Sequence, residues 1–176
     1  MSLFDLGDTS ESGGGQFARP TVDVAAERWA EAIETAKSEG YDYFDWLSAV
    51  DELPGGFTLV VHLWSTTEKR GVLIRAEIPR SAPAIASVKD IYPGAAWHER
   101  ETHEMFGIGF TGHGELKPLL LPDEFEGHPL RKEFVLASRV AKPWPGAKEP
   151  GESEHTVSKR APMRPPGVPD PKEWPK

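Results

Sequence analysis

No cysteine occurs among the 176 residues of this chain. That absence excludes disulfides, thiolate nucleophiles and iron–sulfur clusters held by the chain's own thiolates. Long apolar runs are missing too, and none approaches the ~20 residues that a membrane-crossing helix needs. Positive charge is scarce in the body, where residues 1–136 hold 12 Lys and Arg against 23 Asp and Glu. Residues 137–176 reverse this, with 8 against 5. An acidic body argues against nucleic acid as a partner, since neutralising phosphates takes a basic surface. The first residues, Met1–Leu6, have neither a basic start nor an apolar signal core, so the chain is expected to stay in the compartment where it is made. No serine or threonine sits in a nucleophile-elbow context, and no carboxylate pair stands clear of an ion-pair explanation. A self-contained active site is not expected.

Three regions are expected. Residues 1–19 are rich in Gly, Ser and acid, with Gly13-Gly14-Gly15 at their centre, and read as a disordered leader. Residues 20–135 carry the pattern of an α+β domain. Within it, Thr21 is placed to cap a helix running to about Glu39, with Val22, Ala26, Trp29, Ile33 and Ala36 as its apolar stripe and Gly40 as its stop. Tyr41–Val50 reads as a strand, Leu53–Gly56 as a turn, and Phe57–Ser65 and Val72–Ile78 as two antiparallel strands. Ser81–Asp90, with Pro83 in its first turn, reads as a short helix. A second helix is predicted from about Ala95 to Phe106, closed by Gly107. The fold class that results is α+β: an N-terminal helix, a mostly antiparallel sheet of three or four strands, a charged helix, and a Pro-rich C-terminal arm. That arm, residues 136–176, holds nine of the 17 prolines together with Trp144 and Trp174. It is expected to be extended, either as a loose tail or as an arm lying along a partner.

The charged helix is the most informative stretch. Glu99-Arg100-Glu101-Thr102-His103-Glu104-Met105-Phe106 carries five ionisable side chains in eight residues. On helical spacing Trp97, Glu101, Met105 and Ile108 form one stripe, which puts Glu101 among apolar neighbours. A carboxylate covered there needs a cationic or hydrogen-bonding partner, because burying it alone costs several kcal/mol. The element reads as one built to be covered.

These residues also carry a resemblance. Glu99-Arg100-Glu101, then Glu104-Met105-Phe106-Gly107, His113, Lys117, Leu119 and Leu120, followed by Glu126-Gly127-His128-Pro129-Leu130-Arg131-Lys132, resemble the small hydrophilic subunit of the NADH-quinone oxidoreductase family, respiratory complex I. Leu47–Asp51 and Tyr92-Pro93-Gly94-Ala95-Ala96-Trp97 extend the likeness over roughly residues 40–134. Two positions depart from the pattern: Gly114 stands where proline is more common, and Pro118 where a basic or apolar residue is. The resemblance implies a cofactor-free scaffold subunit of a proton-translocating complex. NADH, FMN, iron–sulfur clusters and quinone would then belong to partner subunits. It implies a hetero-oligomer in which the chain sits against the quinone-pocket and iron–sulfur subunits, meeting the membrane only through them, on the cytoplasmic face of a bacterial inner membrane. Glu99, Arg100, Glu101, Glu104, His113, His128, Arg131 and Lys132 are the candidate subunit-interface residues.

Other motifs carry competing readings. Gly107-Ile108-Gly109-Phe110-Thr111-Gly112 spells G-x-G-x-x-G, but it follows a helix rather than a strand, so a helix cap and tight turn are expected instead of a phosphate loop. His98, Glu99 and His103 suggest a stand-alone metal-dependent hydrolase as the alternative function. Histidines at i and i+5 lie about 140° apart around a helix, however, and cannot meet on one metal. His128, between Gly127 and Pro129, is expected to lock its loop through backbone hydrogen bonds, with proton transfer as its other possible role.

Overall fold

The structure is a computed structural model that describes residues 1–135. The Pro-rich arm expected over 136–176 lies outside the described residues. Residues 1–135 lie within one compact unit.

Three long strands make the frame. β3 (Tyr43–Glu52), β4 (Gly56–Ser65) and β5 (Arg70–Pro79) run antiparallel in sequence order. Their residues alternate in burial: Leu47, Ala49 and Asp51 on β3, Phe57, Leu59, Val61 and Leu63 on β4, and Val72, Ile74, Ala76 and Ile78 on β5 all point inward. Period-two alternation of β-branched and aromatic residues is what gives a sheet one dry face. Both turns fall where Gly55-Gly56 and Thr66–Lys69 place them. Gly56 is required at its position, because a Cβ there would sit 2.1 Å from the carbonyl oxygen of Ile78.

The sheet has two further strands beyond those expected. β1 (Asp8–Glu11) pairs antiparallel with β2 (Pro20–Val24), and β2 pairs parallel with β5, giving a mixed five-stranded order β1-β2-β5-β4-β3. Residues 1–19, expected to be disordered, are therefore tied in. Leu3 and Leu6 are buried in the core, and the Leu3 N–H donates to Glu39 at 2.9 Å. The glycine-rich composition hides the apolar residues that anchor the segment. Thr21 likewise caps no helix. It lies on β2, where Val22 and Val24 face inward opposite Ile74 and Ala76. The Thr-Val-Asp-Val alternation fits a strand as well as a helix stripe, and the free edge of β5 decides between them.

α1 is accordingly short, Trp29–Ser38, and buries Trp29, Ala32, Ile33 and Ala36. Gly40 follows its end with φ +91°, the left-handed conformation that a helix stop favours. Ser81–Asp90 is not a helix: it contains a three-residue strand β6 (Ala84–Ala86), paired in parallel with β7 (Gly109–Thr111). α2 (Ala95–Phe106) has the predicted bounds. It packs across β3, and its Phe106 ring meets Phe57 edge-on with centroids 6.2 Å apart. Both helices lie on one face of the sheet; among the described residues no helix covers the opposite face.

Candidate subunit interface

Each side of α2 has a separate task. The inward side presents Ala95, Glu99, Thr102 and Phe106, all buried. Glu99 is completely enclosed. Its carboxylate accepts the Val88 N–H at 2.7 Å and the Ser87 hydroxyl at 2.5 Å. Burial pushes its pKa up, against the pull of these two donors and of His113. The His113 Nε2 lies 4.0 Å from it but is 3.1 Å from the Ala96 carbonyl, while its Nδ1 accepts the Glu115 N–H at 3.2 Å. Both ring nitrogens therefore have hydrogen-bond partners within the chain, as a buried histidine requires. Glu99 is thus held by its own chain, not offered to a partner.

A flank of the helix holds the segment after β7. The carboxylate of Glu104 accepts three consecutive backbone N–H groups, from Leu119, Leu120 and Leu121, at 3.1, 2.8 and 3.0 Å. One turn earlier, Arg100 donates to the carbonyls of Lys117 and Pro118 at 3.1 and 2.8 Å. The two side chains sit at i and i+4, so an anion and a cation together hold the N–H groups and carbonyls of one irregular strap. Partial burial acts to raise the pKa of Glu104, but the three N–H groups outweigh it and hold the carboxyl below its usual range. Pro118, a departure from the family pattern, fits here without loss, because only its carbonyl is used.

The C-terminal end of α2 is capped by a second segment. The carbonyls of Glu104, Met105 and Phe106 accept from His128 Nδ1 (2.8 Å), the Leu130 N–H (3.2 Å) and Arg131 Nε (2.7 Å). These would otherwise be orphan acceptors of the last turn. Gly107 makes room for the cap: it sits at φ +71°, and a Cβ would lie 2.5 Å from His128 and 2.6 Å from Arg131. The cap is anchored to the sheet through Asp51, nearly buried at the end of β3, which accepts from Arg80 and from the Lys132 N–H (2.9 Å). Arg80 also bonds Glu133 at 2.9 Å, and both Arg80 and Arg131 lie over the Phe57 ring. Asp51 and Arg80 are not among the residues that sequence reasoning singles out as a site. The available signal is a carboxylate at an inward position of an otherwise apolar strand.

The outward side reverses part of the predicted stripe. Trp97 is 61% exposed, Glu101 is exposed and Met105 half-buried. Only the first half of the stripe turns outward: Glu101 faces away from the core and Glu99 takes the buried place, whereas Met105 packs on the core and Ile108, past the helix end, is buried. Arg100 lies 5.3 Å from the Trp97 ring, a cation–π contact that steadies the indole on the helix surface. Of the eight candidate residues, Glu99, Arg100, Glu104, His113, His128 and Arg131 are engaged inside the chain. Glu101 and the side chain of Lys132 remain exposed.

The alternative motifs do not assemble. His98 bonds the backbone of Leu47, His103 bonds the Ile108 carbonyl at 2.9 Å, and Glu99 points into the core. No group of three metal-ligating side chains occurs among the described residues. The glycine run is a left-handed cap at Gly107, the strand β7 and a turn at Gly112, so no helix N-terminus faces it.

The chain is similar to known proteins. The family described as respiratory-chain NADH dehydrogenase, 30 Kd subunit, matches residues 22–140. An NADH-quinone oxidoreductase subunit of Roseiflexus castenholzii is 39% identical over 123 residues, covering 67% of this chain and 71% of that protein. A longer NADH-quinone oxidoreductase subunit of Acinetobacter baylyi is 37% identical over 150 residues, 77% of this chain but 25% of that protein. Among solved structures, a chain of the membrane-bound sulfane sulfur reductase, an archaeal respiratory membrane complex, superposes with a TM-score of 0.65 at 26% identity, covering 73% of this chain and 78% of that one. The match spans 71% of the Roseiflexus protein but smaller shares of others, 34% of the corresponding protein of a Nocardioides species and 25% of the Acinetobacter one. With its charged helix, strap and cap all inside the matched region, the chain belongs to the family of the respiratory-chain NADH dehydrogenase 30 Kd subunit.

Proposed function

We propose that this chain is a non-catalytic scaffold subunit of a proton-translocating NADH–quinone oxidoreductase. It holds the quinone-pocket and iron–sulfur subunits in register while NADH, FMN, the clusters and quinone react on those partners. The observation that carries this reading is the division of labour on α2. Six of the eight candidate residues brace the chain's own strap, cap and core, so that among the described residues one outer face, with Trp97 and Glu101, is left uncovered. Aromatic anchors beside an exposed charge suit the centre of a protein interface. The longer Acinetobacter relative supports a neighbour in the same complex, since there a region like this one is part of a single larger chain. Among the described residues no helix is long and apolar enough to cross a membrane, which suits a peripheral place, reached through partners on the cytoplasmic side of the inner membrane. The likeness to a chain of a sulfane sulfur reductase complex supports a scaffold role that does not depend on the electron donor.

The test is deletion of the chain, with other NADH dehydrogenases absent. Membranes are then assayed for electron transfer from NADH to quinone and from NADH to an artificial acceptor. Loss of the quinone reaction alone, restored by re-expression, is the expected result. An unchanged quinone reaction overturns the proposal.

A further inference from the structure

Among the described residues, neither helix packs on the second face of the sheet. Its middle is apolar and aromatic. Trp46 (37% exposed) and Val50 (46%) stand on β3, with Val60, His62 and Trp64 beside them on β4. The row Trp46–His62–Trp64 is held as a platform. Its ring centroids are spaced 6.1 and 6.3 Å, and Asp45 fixes the His62 Nδ1 at 2.8 Å. Gly71 lets the row lie flat, because a Cβ there would fall 2.4 Å from His62 and 2.9 Å from Trp64. Arg19 closes the end, 5.6 Å from the Trp64 ring. None of this ordering serves the core, which lies on the other face.

The far end of the same face is acidic and concave. Two adjoining grooves, of about 390 and 530 Å³, share Glu52, Thr58 and Glu77. The second also contains Asp23 and Arg75, whose charges are spent on each other in a two-pronged pair at 2.7 and 2.6 Å. Glu52 and Glu77 have no ion-pair partner among the described residues. A surplus of two negative charges therefore sits beside an apolar platform. From Thr58 to Trp64 the strand spans roughly 20 Å, the length of a six-residue extended segment.

We propose that this open face is a second partner surface, which takes an extended segment of a neighbouring subunit bearing Lys or Arg. The basic side chain sits between Glu52 and Glu77, and the segment's apolar side chains lie on Val50, Val60 and the Trp46–His62–Trp64 row. The outer face of α2 and this sheet face point away from opposite sides of the core, so one small chain meets two neighbours at once. The inference rests on the reading of the chain as an assembled subunit, and it adds the chemistry of a contact that the charged motif does not supply.

The experiment places a photo-cross-linking residue at Ser48, an exposed position between Trp46 and Val50, and separately at Trp97, in complexes purified with the full chain. Mass spectrometry identifies the captured peptides. The expected result is capture from position 48 of a partner segment containing Lys or Arg, different from the segment captured from position 97. The double variant Glu52→Lys/Glu77→Lys should lower the first yield about tenfold and leave the second unchanged. Rising salt should weaken the first in the same sense. Far-UV circular dichroism and melting of the variant chain check that these exposed changes leave the fold intact. No capture from position 48 while position 97 captures a partner overturns this inference and leaves the proposed function standing. So does capture of this chain's own residues, of a segment without basic residues, or a yield indifferent to the charge reversal. Failure of the proposed function itself would show in the deletion assay, whatever the cross-links.

Discussion

Replacing Glu104 by alanine removes the one acceptor shared by the N–H groups of Leu119, Leu120 and Leu121. A hydrogen bond to a charged group contributes about 1.5–3 kcal/mol when its loss leaves a buried donor unpaired. Three such bonds come to roughly 4–5 kcal/mol even at the lower figure. The strap is only half-buried, however, so water can satisfy the freed N–H groups, and about 2 kcal/mol is the expected loss. That corresponds to about a 30-fold rise in local opening, read directly as faster hydrogen exchange at the three amides. Glu104→Gln keeps a neutral carbonyl acceptor, so its effect should be about half in free energy. Exchange at β4 amides should not change in either variant. The pH dependence has a definite sign. Glu104 titrates below its ordinary value of 4.5, so its contribution is present above that value and is lost as pH falls through the depressed folded pKa. The gap between wild type and Glu104→Ala should therefore close in acid. Unchanged protection of residues 119–121 in Glu104→Ala at neutral pH would refute the assignment of the strap to this carboxylate.

Glu99 should show the opposite pH trend. Burial raises its pKa above the ordinary 4.5, so the folded chain binds that proton more tightly than the unfolded one, and stability falls as pH rises from there through the folded pKa. Urea midpoints measured from acid to neutral pH should slope less in Glu99→Gln than in wild type, and equal slopes would count against the burial argument. Gly107→Ala should destabilise by about 2 kcal/mol or more, from the left-handed backbone and the displaced His128 and Arg131, as measured by denaturant unfolding. Phe106→Ala should cost about 3–5 kcal/mol by opening the contact with Phe57. Trp97→Ala should shift stability by no more than about 0.5 kcal/mol while lowering the amount of assembled complex in native gels. Charge reversal at Glu101 should likewise reduce assembly with an unchanged melt, whereas Arg131→Glu should lower the melt itself by uncapping α2.

Local features were readable in the order of the residues. The hairpins of β3, β4 and β5, the bounds of α2 and the stops at Gly40 and Gly107 follow from alternation, helical spacing and glycine, each visible within a dozen residues. The charged motif was legible as a motif for the same reason, and the carboxylate at Asp51 is detectable from its strand position. Whatever needed a distant partner waited for the folded chain. Thr21–Val24 is a strand because β5 has an open edge, and the glycine-rich start is ordered because Leu3 and Leu6 find the core. On α2 the spacing defines the stripes but cannot say which one faces inward. Glu99 is tolerated inside only because Val88, Ser87 and His113 arrive from other segments, and that leaves Trp97 and Glu101 outside. Periodicity is a property of neighbours along the chain, whereas the burial of a charge depends on donors that only the folded chain brings to it.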